Sequence, residues 1–269
     1  MSFRINNNVE AFNSYRQLTG TSEKVAQSME RLSSGYRINR AADDAAGLAI
    51  SEKLRGQING LGQAQRNAQD AVSLVQTAEG SLNEVHSMLQ RVRELAVQYQ
   101  NGTLSTSDKA AITAETAQLA SEIERIGKGA DFNGIKLLNS TSTITFQVGA
   151  NDGDVISVTT ASLGDKVFDT VGQFDITTTT AIAALDSAIS EVSTLRSSFG
   201  AVQNRLEHTM NNLATYEENL LASESRIRDV DMAAEMVDFS KNQILQQAGT
   251  SMLAQANQAP QAVLSLLRG

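Results

Sequence analysis

The segment from Ile50 to Tyr99 sets the terms for the rest of the chain. Steps of four and three from Ile50 reach Leu54, Gln57, Leu61, Ala64, Ala68, Ala71, Val75, Ala78, Leu82, Val85, Leu89, Val92, Ala96 and Tyr99, and only Gln57 is polar. Ile58, Val72, Leu74, Met88 and Leu95 flank this seam, so the apolar stripe is wide enough for more than one partner helix. No proline interrupts it. Roughly fifty residues at about 1.5 Å each predict a rod on the order of 75 Å long. Many seam positions are alanine, which buries far less than the side chains that contribute ~1.5–3 kcal/mol each. Such a rod requires partners, in its own chain or in neighbouring copies.

Composition narrows the class. The 269 residues are 41% hydrophobic, enough for a sizeable core, yet include no Trp, 4% aromatics and a single proline, a balance that favours long helices. A formal charge of −8 without a run of Lys and Arg argues against a nucleic-acid groove, which needs clustered cations to displace counterions. Without cysteine, disulfides, thiolate zinc sites and thiol nucleophiles are all excluded. No apolar run approaches the ~18 residues of a membrane span, and no membrane role is expected. The opening residues lack the order of a cleaved signal peptide, and their acids (Glu10, Glu23, Glu30) disfavour a transit peptide.

The remaining elements follow from periodicity and turn chemistry. Ile5, Val9, Phe12, Val25, Met29, Leu32 and Tyr36 have helical spacing, interrupted at Thr19, Gly20, Thr21 and Ser22. The helix should end around Ser33 and Ser34, with Gly35 taking a left-handed cap, and Asp43 or Asp44 should cap the rod. Asn101 and Gly102 break the rod, and Ser105 to Asp108 offers a capping-box start for a second helix near 107–127 carrying Ile112, Glu115, Leu119, Ile123 and Ile126. Asp131 to Gly134 makes a tight turn. Alternation at Ile144, Phe146 and Val148, then at Val155, Ile156 and Val158, predicts a hairpin near 143–158. Asn151, Asp152 and Asp154 lack the further ligands and closing Glu of a calcium loop, so they are read as its turn. Residues 160–181 follow no period. The seam resumes from Ile182 through Leu185, Val192, Phe199, Leu206 and Leu213 to Leu220, and a last helix beyond Ser223 carries Val230, Met236, Phe239, Ile244, Ala248 and Met252 up to a break at Gln258 to Pro260, where Pro260 kinks it or opens a final turn with Val263, Leu264, Leu266 and Leu267.

A search for chemistry returns nothing. His86 and His208 are the only histidines, neither with a spaced ligand partner, Gly127 to Gly134 lacks the Lys and Ser/Thr of a phosphate loop, and Ser33 and Ser34 have no nearby base. No catalytic, metal or cofactor residue is expected, and the chain is not read as an enzyme. What remains is surface for self-association. Both ends are amphipathic and marginal alone, so each should order against the other end and against neighbouring copies.

The run RLSSGYRINRAADDAAG, Arg31 to Gly47, closely resembles the N-terminal signature of bacterial flagellins. FRINNNVEAFNSYRQL at the start, LQRVRELAVQ from Leu89 to Gln98, and the stretch Arg226 to Gly269 are similar to the same family. The matches cover roughly 1–138 and 182–269, and the central region is too short to hold an inserted outer domain, which implies a minimal form. The resemblance implies a mainly α fold: an inner coiled-coil domain from 1–42 and 223–269, and an outer antiparallel helical bundle with its hairpin over 43–222. The expected self-assembly residues are Ile5, Val9, Phe12, Met29, Leu32, Met236, Ile244, Met252, Val263 and Leu264. Arg31, Ser33, Ser34, Gly35, Arg37, Asn39, Asp43 and Asp44 form the expected connector, its charges choosing register more than supplying energy.

Stacking of identical subunits through unlike surfaces is open and yields a helical tube. The resemblance implies that this tube is the flagellar filament outside the cell, built from chains exported unfolded by the flagellar type III apparatus. It further implies an export chaperone, a filament cap and junction proteins as partners, and recognition by the host Toll-like receptor for flagellin at Arg91, Leu95 and Glu115. The alternative within the superfamily is a hook-filament junction protein.

Overall fold

A computed structural model describes residues 8–164, 175–178 and 180–268, with side chains described up to 258. Five helices and two hairpins follow in order: α1 (Val9–Ser34), α2 (Ala45–Tyr99), α3 (Thr106–Gly129), β1 (Asp131–Phe132), β2 (Ile135–Lys136), β3 (Thr143–Gln147), β4 (Val155–Thr159), α4 (Ala181–Arg228) and α5 (Met232–Arg268). The fold is mainly α, as the periodicity predicts. The chain forms two compact units, one of Met1–Gly56 with Asn219–Gly269 and one of Gln57–Glu218. Each division falls inside a continuous helix, α2 or α4, whereas pauses in the sequence pattern lie at 42/43 and 222/223.

Unit Gln57–Glu218 holds the apolar core. Leu74, Val75, Ala78, Leu82, Val85, Leu89, Val92, Leu95 and Ala96 of α2 pack with Ile112 and Ile123 of α3 and with Leu185, Ala188, Val192 and Phe199 of α4. Arg93 pairs with Asp186 at 2.5 Å and Glu79 with Arg196 at 3.8 Å, so α2 and α4 run antiparallel. Ser105 completes a capping box with Asp108 at the start of α3, its hydroxyl oxygen accepting from the Asp108 N–H at 3.2 Å. Asn133 and Gly134 both take positive φ, 50° and 79°, the two-residue turn that an Asn-Gly pair closes between β1 and β2. β3 and β4 pair antiparallel from Thr143–Thr159 to Gln147–Val155. Val148 and Ile156 bury against Ala68, Ala71 and Leu206, and Val155 points to solvent.

Unit Met1–Gly56 with Asn219–Gly269 is built differently. α1 runs unbroken through Thr19 to Ser22, because Thr19 and Thr21 turn their hydroxyls onto the carbonyls of Tyr15 and Gln17 at 3.0 and 2.9 Å and leave the backbone ladder intact. α4 continues past Ser223 to Arg228, and the chain pauses at 229–231 before α5. α5 passes through Pro260 instead of breaking there. A proline withholds one N–H from the carbonyl four residues earlier, and that carbonyl, of Ala256, receives the Asn8 side-chain amide at 2.7 Å.

Candidate self-association surface

α1 and α5 pair antiparallel: Asn8 reaches Ala256, Leu18 lies against Gly249, and Arg31 faces Glu235 at 3.6 Å. The positions that α1 turns inward are Ala11, Ser14, Leu18, Thr21, Val25, Ser28 and Leu32, in strict steps of three and four. Those of α5 are Glu235, Phe239, Asn242, Gln246, Gly249, Leu253 and Ala256, in steps of four and three. This is a coiled-coil seam, but nine of its fourteen members are small or polar. Among the described side chains neither helix has a fully buried apolar residue; only Ser28 and Glu235 reach that class.

The large apolar residues lie elsewhere. Val9, Phe12, Tyr15 and Met29 on α1 and Met232, Met236, Val237, Ile244, Leu245 and Met252 on α5 are all exposed, Phe12 at 74% and Ile244 at 67%. Phe12, Tyr15 and Met29 each follow a seam residue by one position, about 100° round the helix. Of the expected self-assembly residues whose side chains are described, Leu32 alone sits in the seam. Val9, Phe12, Met29, Met236, Ile244 and Met252 are exposed on the single chain and lie outside that seam. Residue Ile5 and the side chains of Val263 and Leu264 lie outside the described residues. An isolated protein gains nothing by turning its largest side chains to water while filling a helix seam with serine and threonine, and ten exposed large apolar side chains on one helix pair point to an interaction surface.

The connector joins α1 to α2 and ties both to the end of α4. Gly35 caps α1 in the left-handed region, φ 75°, its N–H bonded to the Arg31 carbonyl. The Arg37 N–H donates to the Arg228 carbonyl at 2.7 Å, its guanidinium to the Ile227 carbonyl at 2.6 Å, and the Val230 N–H to the Gly35 carbonyl at 3.0 Å. Arg228 lies 4.9 Å over the Tyr36 ring and donates to Glu52 at 2.6 Å, which holds the Glu52 carboxyl below its ordinary range. Glu30 accepts from the Asn39 amide at 2.7 Å and from Arg40 at 2.9 Å. The two aspartates divide their work. Asp43 accepts from the backbone N–H groups of Arg40 at 2.9 Å and Asn39 at 3.1 Å, which lower its carboxyl, while Asp44 caps α2 by accepting from the Gly47 N–H at 2.8 Å. Ser33 and Ser34 are exposed. The sequence pattern missed Ile38, 1% exposed and packed where a methyl on Gly47 would come within 2.8 Å of its Cδ1. Its signal was slight: one aliphatic side chain in a run of polar residues.

Arg91 and Glu115 are exposed and bonded to each other at 3.1 and 2.9 Å, an arrangement that raises the Arg91 pKa, with Glu94 as a second partner. Leu95 is 1% exposed, inside the core of its unit. The three expected receptor residues therefore divide into a surface ion pair and a core side chain. Among the described residues no group of His, Cys, Asp and Glu could hold a metal, and no helix is long and apolar enough to cross a membrane.

The model of the bacterial flagellin N-terminal helical region matches residues 5–143, and that of the C-terminal helical region matches 182–267. The chain is a member of the bacterial flagellin family. The flagellin of Halalkalibacterium halodurans is 54% identical to it over 98% of this chain and 99% of the relative. The flagellin of Bacillus subtilis is 49% identical over 98% of this chain and the whole of the relative. The crystal structure of Bacillus cereus flagellin superposes with a TM-score of 0.52 at 34% identity, over 55% of this chain and 88% of that one. As a flagellin, the chain belongs to a family of structural proteins and is exported to work in the extracellular filament. The hook-filament junction reading is not favoured.

Proposed function

We infer that this flagellin is the repeating unit of a helical flagellar filament and that the outward apolar faces of α1 and α5 are the contacts between copies. The observation that carries this reading is the inversion just described: a polar, small-residue seam inside the pair and ten large apolar side chains outside it. Isolated helices are costly to order and poorly paid by such a seam, so the terminal pair draws its stability from neighbours. Unlike patches on successive copies give an open helix, not a closed ring. The work is mechanical and needs no catalytic group. Seeded with filament fragments, the purified full-length chain elongates into long filaments visible by electron microscopy, and failure to elongate with both termini intact refutes the reading. Removing residues 1–35 or 235–269 leaves a soluble helical monomer that does not polymerise.

Finer partners belong to the same reading. Export as an unfolded chain through the flagellar type III apparatus suits a sequence without cysteine whose terminal helices, among the described side chains, bury no apolar residue fully. An export chaperone that covers α5 would occupy the apolar face before neighbours do, and the filament cap and junction proteins would meet the same terminal helices. The exposed Arg91–Glu115 pair on α2 and α3 is the surface for the host Toll-like receptor for flagellin, with Leu95 holding Arg91 in place from the core. Arg91→Ala and Glu115→Ala should each weaken receptor binding to the monomer without changing its helical content; unchanged binding by both removes the pair from the receptor site.

A further inference from the structure

Asn8 occupies the point where the start of α1 meets the far part of α5. Its Oδ1 accepts from the Ala11 N–H at 3.0 Å, the N-cap bond of α1. Its Nδ2 donates to the Ala256 carbonyl at 2.7 Å. The two partners fix which way the amide points, since one needs an acceptor and the other a donor. Pro260 stands four residues beyond Ala256 and has no N–H to offer that carbonyl. It is the single proline of the chain, so the bond that position 260 would donate to the Ala256 carbonyl is missing from α5.

The near end of the pair is tied by the Val230–Gly35 backbone bond and the Arg31–Glu235 ion pair. Toward the far end the seam narrows to Ala11, Ser14 and Ala256 beside one large side chain, Leu253. The Ala256 carbonyl has no equivalent seven residues away. We propose that Asn8 holds the far end of the terminal helix pair in register by supplying the hydrogen bond that Pro260 denies to Ala256. Asn8 is then a positioning residue for assembly: register decides which parts of the two apolar faces lie side by side, and this consequence rests on those faces being the filament contacts.

Asn8→Asp separates the two jobs of the side chain, because a carboxylate oxygen still caps Ala11 but no donor remains for Ala256. Pro260→Ala restores an N–H to Ala256 and makes Asn8 dispensable. In seeded polymerisation of the full chain, Asn8→Asp should raise the critical concentration about tenfold, the scale of one unsatisfied backbone carbonyl, and less than about twofold when combined with Pro260→Ala. Register is read separately in the unassembled subunit by a disulfide. A Cβ placed on Gly249 lies 3.8 Å from that of Leu18, within the span a disulfide needs, and the chain has no other cysteine. Oxidation of Leu18→Cys/Gly249→Cys should give high yield, a lower yield with Asn8→Asp, and recovery with Pro260→Ala added. Equal effects of Asn8→Asp in both backgrounds, or none in the Pro260 background, overturn the proposal. A chain that forms the disulfide in this pattern but never polymerises would instead count against the filament reading and leave the register assignment standing.

Discussion

Replacing Phe12 by alanine separates a residue that stabilises the subunit from one that stabilises the assembly. Its ring is 74% exposed, and alanine is the better helix former, so the substitution should leave unfolding of the free chain unchanged within about 0.5 kcal/mol. On the proposed reading the ring is covered in the filament. Full burial of a phenylalanine side chain contributes on the order of 3 kcal/mol, and about three quarters of it remains to be gained on assembly. The loss is then about 2 kcal/mol per subunit, or roughly thirtyfold in critical concentration. Sedimentation of seeded polymer at graded subunit concentrations measures the critical concentration, and urea melts followed by circular dichroism measure the subunit. An unchanged critical concentration, or a monomer destabilised by as much as the polymer, would refute the reasoning.

Other substitutions should behave in the opposite sense or report on local devices. Leu89→Ala empties a fully buried core position and should destabilise the free subunit by about 2–5 kcal/mol in the same urea melts. Ser105→Ala removes the capping box of α3 and should cost about 1 kcal/mol, with faster amide exchange confined to the first turn of that helix. Asp43 titrates below its ordinary value of 3.8 because the N–H groups of Arg40 and then Asn39 donate to it. A folded pKa below the unfolded one means that its stabilisation is complete above about pH 4 and is lost as pH falls through the lowered value. The Asn39 and Arg40 amide resonances should therefore shift in strong acid, and Asp43→Asn should abolish that titration.

Where apolar spacing pointed to a core inside one chain, the sequence was readable almost residue by residue. The α2 seam from Leu61 to Ala96 is buried, and Gly35, Asn133–Gly134 and the Ser105 box take the turns and caps that their chemistry predicts. The terminal helices were legible as helices but not as surfaces. Val9, Phe12, Met29, Met236, Ile244 and Met252 carry the same periodicity as a core stripe, and periodicity cannot tell a stripe that meets its own chain from one reserved for another copy. The true seam was hidden because Ser14, Thr21, Ser28, Asn242 and Gln246 do not register as apolar. Pro260 misled for a related reason. Its helix-breaking tendency is a local property, and the donor that offsets it comes from Asn8, 248 positions away in sequence.

Amide hydrogen exchange, followed peptide by peptide in the free subunit and in the filament, tests the central claim most directly. Peptides from 8–34 and 232–256 should exchange fast in the subunit and become strongly protected in the filament, while 74–96 stays protected in both. Slow exchange of both terminal helices already in the dilute subunit would contradict the account.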